Sequence, residues 1–190
     1  MVRIHLSDGS FFLLHAEVFA RARLSAGGVL DGETRARLLA RSERVRARIV
    51  ALRLLGRAAH TRRGLARKLA ARGFGRAAIS HALARMSELG YLDDRAFAES
   101  WIRSRLVSGK DGATALYRGL LSRGVARPLA EEVVGEMYAH DEEVRHGRRL
   151  VAGLSRSAAI RRLSGRGFRS RAIAAVIREI PGTIRESPAD

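Results

Sequence analysis

The segment Leu65–Phe74, LARKLAARGF, decides the fold, because its pattern L-x-x-x-L-x-x-R-G returns twice more along the chain. It stands again at Leu116–Gly124, and as A-x-x-x-L-x-x-R-G at Ala159–Gly167. Apolar residues four apart share one face of a helix, and a glycine after a basic residue is where a helix commonly stops. Six, ten and thirteen residues beyond each glycine stand Ile79, Leu83 and Met86, then Ala130, Val134 and Met137, then Ile173, Ile177 and Ile180. That spacing predicts a further helix in each copy, with these residues on its inner face. Phe74, Val125 and Phe168 directly follow the glycines and read as apolar plugs between two helices that turn against each other. The expected fold is all-α.

A short amphipathic helix pair cannot bury its own apolar face, so the copies are expected to stack into an extended body of the kind that grips other macromolecules. The repeat glycines lie 51 and then 43 residues apart, too irregular for a uniform solenoid. Tandem three-helix modules in an elongated crescent fit that spacing better.

Outward from the repeats, residues 2–15 alternate apolar and polar around Ser7-Asp8-Gly9-Ser10, a strong signal for a β-hairpin. A glycine-rich loop from Ser25 to Gly32 leads into helical sequence from Glu33, with a break expected near Ser42. The organisation read from these signals is a hairpin and short helix over 1–43, then modules over 44–92, 93–140 and 141–180, and a flexible tail over 181–190. Asp93-Asp94 and Asp141-Glu142-Glu143 read as acidic helix starts, their carboxylates near free N–H groups. Phe97 and Trp101, four apart, belong on the inner face of the helix that Asp94 opens.

The chain carries 36 basic against 19 acidic residues, a formal charge of +17. Such a surplus favours a polyanionic partner, nucleic acid or an acidic protein surface. Lys68 and Lys110 are the only lysines, and Asn and Gln are absent, so a GC-rich coding bias towards arginine is a second source of the surplus. The distribution favours the binding reading, with a solvated arginine-rich face as the alternative. From Gly56 to Arg85 there are eight basic residues and no acid, and from Val144 to Arg178 ten and no acid. Between them, from Met86 to Glu143, eleven acids meet seven bases. The candidate partner-binding residues are therefore Arg62, Arg63, Arg67, Lys68, Arg72 and Arg76 in the first module, and Arg161, Arg162, Arg166, Arg169 and Arg171 in the third.

Other chemistries find little support. Without cysteine there are no disulfides, thiolate metal sites or cysteine nucleophiles. No apolar run approaches the ~20 residues of a membrane helix, and the N-terminus does not read as a secretory signal, so a soluble cytoplasmic protein is expected. The helix, turn and helix around Gly73 are compatible with a helix-turn-helix, but the absence of Asn and Gln removes the bidentate reading of adenine. Phosphate contact remains open while sequence-specific reading is disfavoured. Gly73-Phe74-Gly75-Arg76-Ala77-Ala78 fits a loose dinucleotide motif, yet follows a helix and not a strand. Ser108-Gly109-Lys110-Asp111 lacks the flanks of a phosphate-binding loop. The six histidines show no metal-ligand spacing, and Asp93-Asp94 is read as a cap and not as an acid–base pair.

At Arg72-Gly73-Phe74, Gly90-Tyr91-Leu92-Asp93-Asp94, Phe97-Ala98-Glu99-Ser100, Leu120–Val125 and Arg166-Gly167-Phe168, the sequence resembles the RecX family of recombination regulators, over residues 45–180. The resemblance implies tandem three-helix modules and a non-enzymatic, monomeric negative regulator of the RecA recombinase. Such a regulator, acting in the SOS response and homologous recombination without cofactor or metal, would lie in the groove of the RecA–DNA filament. There it would bridge protomers and restrain ATP hydrolysis, strand exchange and filament growth. Single- and double-stranded DNA are further partners on this reading. The alternative is an architectural protein that binds DNA without regard to sequence. Gly64 stands where the family commonly has glutamate, which weakens that helix start. Gly119 and Gly135 fall inside expected helices at ~1 kcal/mol each against alanine, and are expected to loosen their module.

Overall fold

The computed structural model describes residues 1–181. Strands β1 (Val2–His5) and β2 (Phe11–Leu14) form an antiparallel hairpin in which Val2 faces Leu14 and His5 faces Phe11. Alternation places Phe12 and Leu14 in the core and leaves Phe11 and Leu13 exposed. Helix α1 (Ala16–Arg21) follows directly, and α2 (Gly32–Leu55) is capped by Asp31, whose carboxylate accepts from Thr34 N–H at 2.7 Å.

The break expected near Ser42 is absent: α2 runs unbroken for 24 residues, so the boundary read after residue 43 falls inside a helix. Serine competes with helical backbone only when its hydroxyl bonds locally. Here the buried Ser42 Oγ accepts from the distant His15 N–H at 2.8 Å and ties the end of the hairpin to α2.

Three separate cores follow. The first lies among α2, α3 (Arg62–Ala70) and α4 (Arg76–Glu88), and contains Ala47, Ala51, Leu65, Leu69, Ala82 and Met86. The second lies among α5 (Asp94–Leu106), α6 (Ala113–Arg123) and α7 (Arg127–Met137), with Ile102, Leu116, Leu120, Val133 and Tyr138. The third gathers α8 (His140–Val151), α9 (Arg156–Gly165) and α10 (Ser170–Glu179) around Val144, Leu163, Phe168 and Val176. Compactness divides the chain into two units, Met1–Asp93 and the part from Asp94 onward. The tail expected over 181–190 lies outside the described residues, apart from Pro181.

The repeat motif does one job three times. Its two apolar positions, Leu65 and Leu69, Leu116 and Leu120, Ala159 and Leu163, are all completely buried. Its glycine takes a positive φ, +81° at Gly73, +95° at Gly124 and +72° at Gly167, a left-handed conformation that favours glycine. The next N–H then reaches back to the second apolar residue: Phe74 to the Leu69 carbonyl, Val125 to Leu120, Phe168 to Leu163, at 3.4, 3.1 and 3.1 Å. This is the six-to-one bond of a Schellman turn, and it re-aims the chain for the next helix.

The expected inner-face residues are not all buried: Ile79 and Met137 are only partly so, and the third copy departs furthest. Ile173, Ile177 and Ile180 are only partly buried, while Ala172 and Val176, one residue earlier, fill the third core. Helix α10 packs closely on α8 at Gly147, where an added Cβ would lie 3.0 Å from Val176 Cγ2. The glycine expected to loosen the second module also proves to be a packing device. A Cβ on Gly119 would stand 2.3 Å from the Trp101 ring, so α5 and α6 meet there only because the side chain is absent.

Candidate macromolecular interface

In the first module, Leu65 and Leu69 turn one face of α3 into the core and thereby turn Arg62, Arg63, Arg67 and Lys68 to solvent. Thr61 caps the helix, its hydroxyl accepting from Gly64 N–H at 2.9 Å, so the helix start is held although its first turn carries no acid. Arg67 and Lys68 occupy the last turn, where positive charge suits the helix dipole. Arg72 stays on this side, its Nη1 donating to the Lys68 carbonyl at 2.7 Å, and Arg62 Nη1 donates to Ser87 Oγ at 2.8 Å. Arg76, the first residue of α4, is exposed as well. Beside them His60 is held below the usual histidine range, by burial first and by Lys68 second, so it stays neutral near pH 7. The charge of this face is therefore all arginine and lysine.

The third module divides its candidates. Arg161, Arg162, Arg166 and Arg171 have exposed side chains, whereas Arg169 is drawn inward. Its Nε lies 2.5 Å from Glu143 Oε2, and its Nη2 donates to the Tyr138 carbonyl at 3.0 Å. Glu143 is completely buried at the start of α8, and its Oε1 accepts from both Ala113 N–H and Arg169 N–H at 2.9 Å. Around this pair the backbones meet directly. Gly112 N–H donates to the Arg166 carbonyl and Thr114 N–H to the Gly167 carbonyl, each at 2.9 Å. An added Cβ on Gly112 would lie 2.3 Å from the Phe168 backbone. Arg169 thus joins the second module to the third, and the other four arginines remain as the accessible charge of that face.

The acids of the middle module are themselves partly neutralised. Arg95 spans Glu99, Glu132 and Glu136 at 3.1, 2.7 and 2.5 Å, bracing α5 against α7. Among the described residues, no three His, Asp or Glu side chains gather as a metal-binding group, and no helix is long and apolar enough to cross a membrane.

A device that the sequence reading missed appears in two modules. Glu43 on α2 accepts from Gly75 N–H at 2.7 Å, just as Glu143 on α8 accepts from Arg169 N–H. Gly75 and Arg169 hold the same place, two residues after the repeat glycine, and each is the N-cap of its module's last helix. The first helix of the module therefore supplies a carboxylate to cap the third.

This geometry has known counterparts. The family model described as RecX, first three-helix domain, matches residues 47–86, and that described as RecX, second three-helix domain, matches residues 93–134. A regulatory protein RecX of Thermus thermophilus is 42% identical over 118 residues, 62% of this chain and 80% of that one. The regulatory protein RecX of Streptomyces coelicolor is 35% identical over 125 residues, 63% of this chain and 66% of that one. Among solved structures, the crystal structure of RecX from Lactobacillus salivarius superposes with a TM-score of 0.68 at 21% identity, over 73% of this chain and 96% of that one. A crystal structure of regulatory protein RecX gives 0.71 at 17% identity, over 93% and 94% of the two chains.

Proposed function

This chain belongs to the RecX family, and we propose that it is a negative regulator of the RecA recombinase that binds the groove of the RecA–DNA filament. In this role it restrains ATP hydrolysis, strand exchange and filament growth. The observation that carries the reading is the division of labour within α3: the repeat leucines are fully buried, and the opposite face presents Arg62, Arg63, Arg67 and Lys68. On α3 the apolar repeat positions face the core, so the surface this helix leaves for a partner is charged. Arg72 and Arg76 extend the first face, and Arg161, Arg162, Arg166 and Arg171 supply the second. Arg169 acts in this reading by holding the third module in place. A protein working this way needs no reactive group, cofactor or metal.

The test is inhibition of RecA's ATP hydrolysis on single-stranded DNA, with this protein titrated well below the concentration of DNA sites. Inhibition at those levels is the expected result, because a filament-bound regulator affects many protomers. If inhibition begins only when the DNA itself is saturated, competition for DNA explains it, and the architectural reading replaces this one.

A further inference from the structure

A strongly basic concave surface lies mostly on residues ahead of the first matched module, with Arg48 and His81 inside that module. A cleft of about 470 Å³ opens between α1, α2 and α4, and its wall is a row of arginines on α2: Arg37, Arg41, Arg44 and Arg48. Their spacings of four, three and four residues put them on one helix face, a line about 16 Å long at roughly 1.5 Å per residue. Arg21 and His81 add to the rim. The one carboxylate among the lining residues is Glu17, already shared between Arg21 at 3.6 Å and Arg48 at 3.3 Å. The acids of α2 itself do not offset the row, since Glu33 sits in the first turn and Glu43 is turned to Gly75 N–H. Like charges at this spacing weaken a helix, so the row is poorly explained by the stability of α2.

We propose that this cleft is a binding site for the phosphodiester backbone of nucleic acid, read without regard to sequence. A guanidinium matches phosphate with a pair of parallel N–H bonds, and a row of them one helical turn apart follows a chain of phosphates. The lining argues against a protein partner. Ala40 and Val45 are its only apolar members, whereas protein interfaces are built on apolar or aromatic anchors. Protein–nucleic acid interfaces are polar and strongly positive, as this one is. No aromatic ring other than His81 lines it, so it grips backbone and does not stack bases.

The experiment is fluorescence anisotropy of random-sequence single- and double-stranded oligonucleotides with the full chain, in the absence of RecA, across a salt series. Its outcome is thus independent of the filament reading. The triple variant Arg37→Ala, Arg41→Ala, Arg44→Ala is the probe, since alanine favours the helix. It is expected to lose about tenfold or more in affinity, and to reduce the log–log salt slope by about 2–3, near 0.9 per lost phosphate contact on duplex and 0.7 on single strand. The corresponding lysine triple variant keeps the charges and is expected to keep the slope; if it loses slope as alanine does, charge is not the cause and the proposal fails. Unchanged affinity and slope in the alanine variant would overturn it outright. Displacement of the oligonucleotide by poly-glutamate as readily as by unlabelled DNA, charge for charge, would overturn it in favour of an acidic protein surface.

Discussion

Glu143 and Arg169 form a fully engaged pair: the carboxylate accepts from the arginine's own backbone N–H at 2.9 Å and from its Nε at 2.5 Å. The same carboxylate holds Ala113 N–H, so one buried side chain satisfies groups from the starts of α6 and α10. Replacing Glu143 by alanine strands two backbone donors and a guanidinium that is only a quarter exposed. Removing one member of a buried pair destabilises by about 3–5 kcal/mol. Glu143→Ala is expected to destabilise the unit from Asp94 onward by that order, read as a lowered urea midpoint at unchanged slope, with Glu143→Gln, which keeps an acceptor oxygen, losing clearly less. Equal, small losses in the two variants would show that the carboxylate is not what fastens the modules.

Gly119 and Gly135 stand in neighbouring helices but should answer alanine in opposite senses. A Cβ at Gly119 meets the Trp101 ring at 2.3 Å, while nothing lies within 4 Å of one at Gly135. Trp101 is not easily displaced, since Arg123 lies over its ring at 4.5 Å and its ring packs on the second core. Overpacking costs about 1–3 kcal/mol, more than the ~1 kcal/mol of helix propensity that alanine returns. Thermal melts should show Gly119→Ala less stable than the parent and Gly135→Ala more stable by up to about 1 kcal/mol. A stabilised Gly119→Ala would mean the ring does not sit against α6.

Stability should also depend on pH through His146. Burial first, and then Arg149, hold its imidazole below the usual histidine value of 6.5, while burial and the nearby Glu143 raise the Tyr138 phenol. The phenol therefore keeps its proton and shares a hydrogen bond with His146 Nδ1 across 3.0 Å. A lowered folded-state pKa means that the unfolded chain binds more protons as the pH falls through about 6.5. The contribution is complete above that value and is lost below it. Urea midpoints should fall between pH 7.5 and pH 5.5, and His146→Gln, which offers an acceptor that does not titrate, should flatten the dependence. His60 has the same sign, so the double variant with His60→Gln should flatten it further. A dependence untouched by both changes would assign it to other groups.

How much of this was legible depends on how local each signal is. The repeat leucines, the positive-φ glycines and the hairpin around Asp8-Gly9 are dictated by near neighbours, and the structure has them where the spacing predicts. The face that α10 buries was not legible, because isoleucine spacing reports hydrophobicity, whereas Ala172 and Val176 fill the core and Val176 lies close to Gly147. The roles of Ser42, Glu43 and Glu143 are bonds to partners 27, 32, and 26 or 30 residues away, which no short pattern records. Glu143 looked like one more acid at a helix start, and Arg169 like one more surface cation; only their burial against each other separates them from their neighbours.

That separation sets the last prediction, because it tells contact residues from structural ones. Arg62, Arg67 and Arg72 lie on the solvent side of α3 and the turn after it, so reversing all three to glutamate should leave the helical circular dichroism in place. The same variant should require at least about tenfold more protein to inhibit RecA's ATP hydrolysis, since each reversal replaces attraction to a polyanionic partner by repulsion. Arg161→Glu with Arg162→Glu should behave alike from the third module. Arg169→Glu should instead lower the melting temperature, since it sets a second carboxylate against Glu143 in a buried site. A folded α3 variant that inhibits at the parent's concentration would remove this face from the filament contact and leave the third module to carry it.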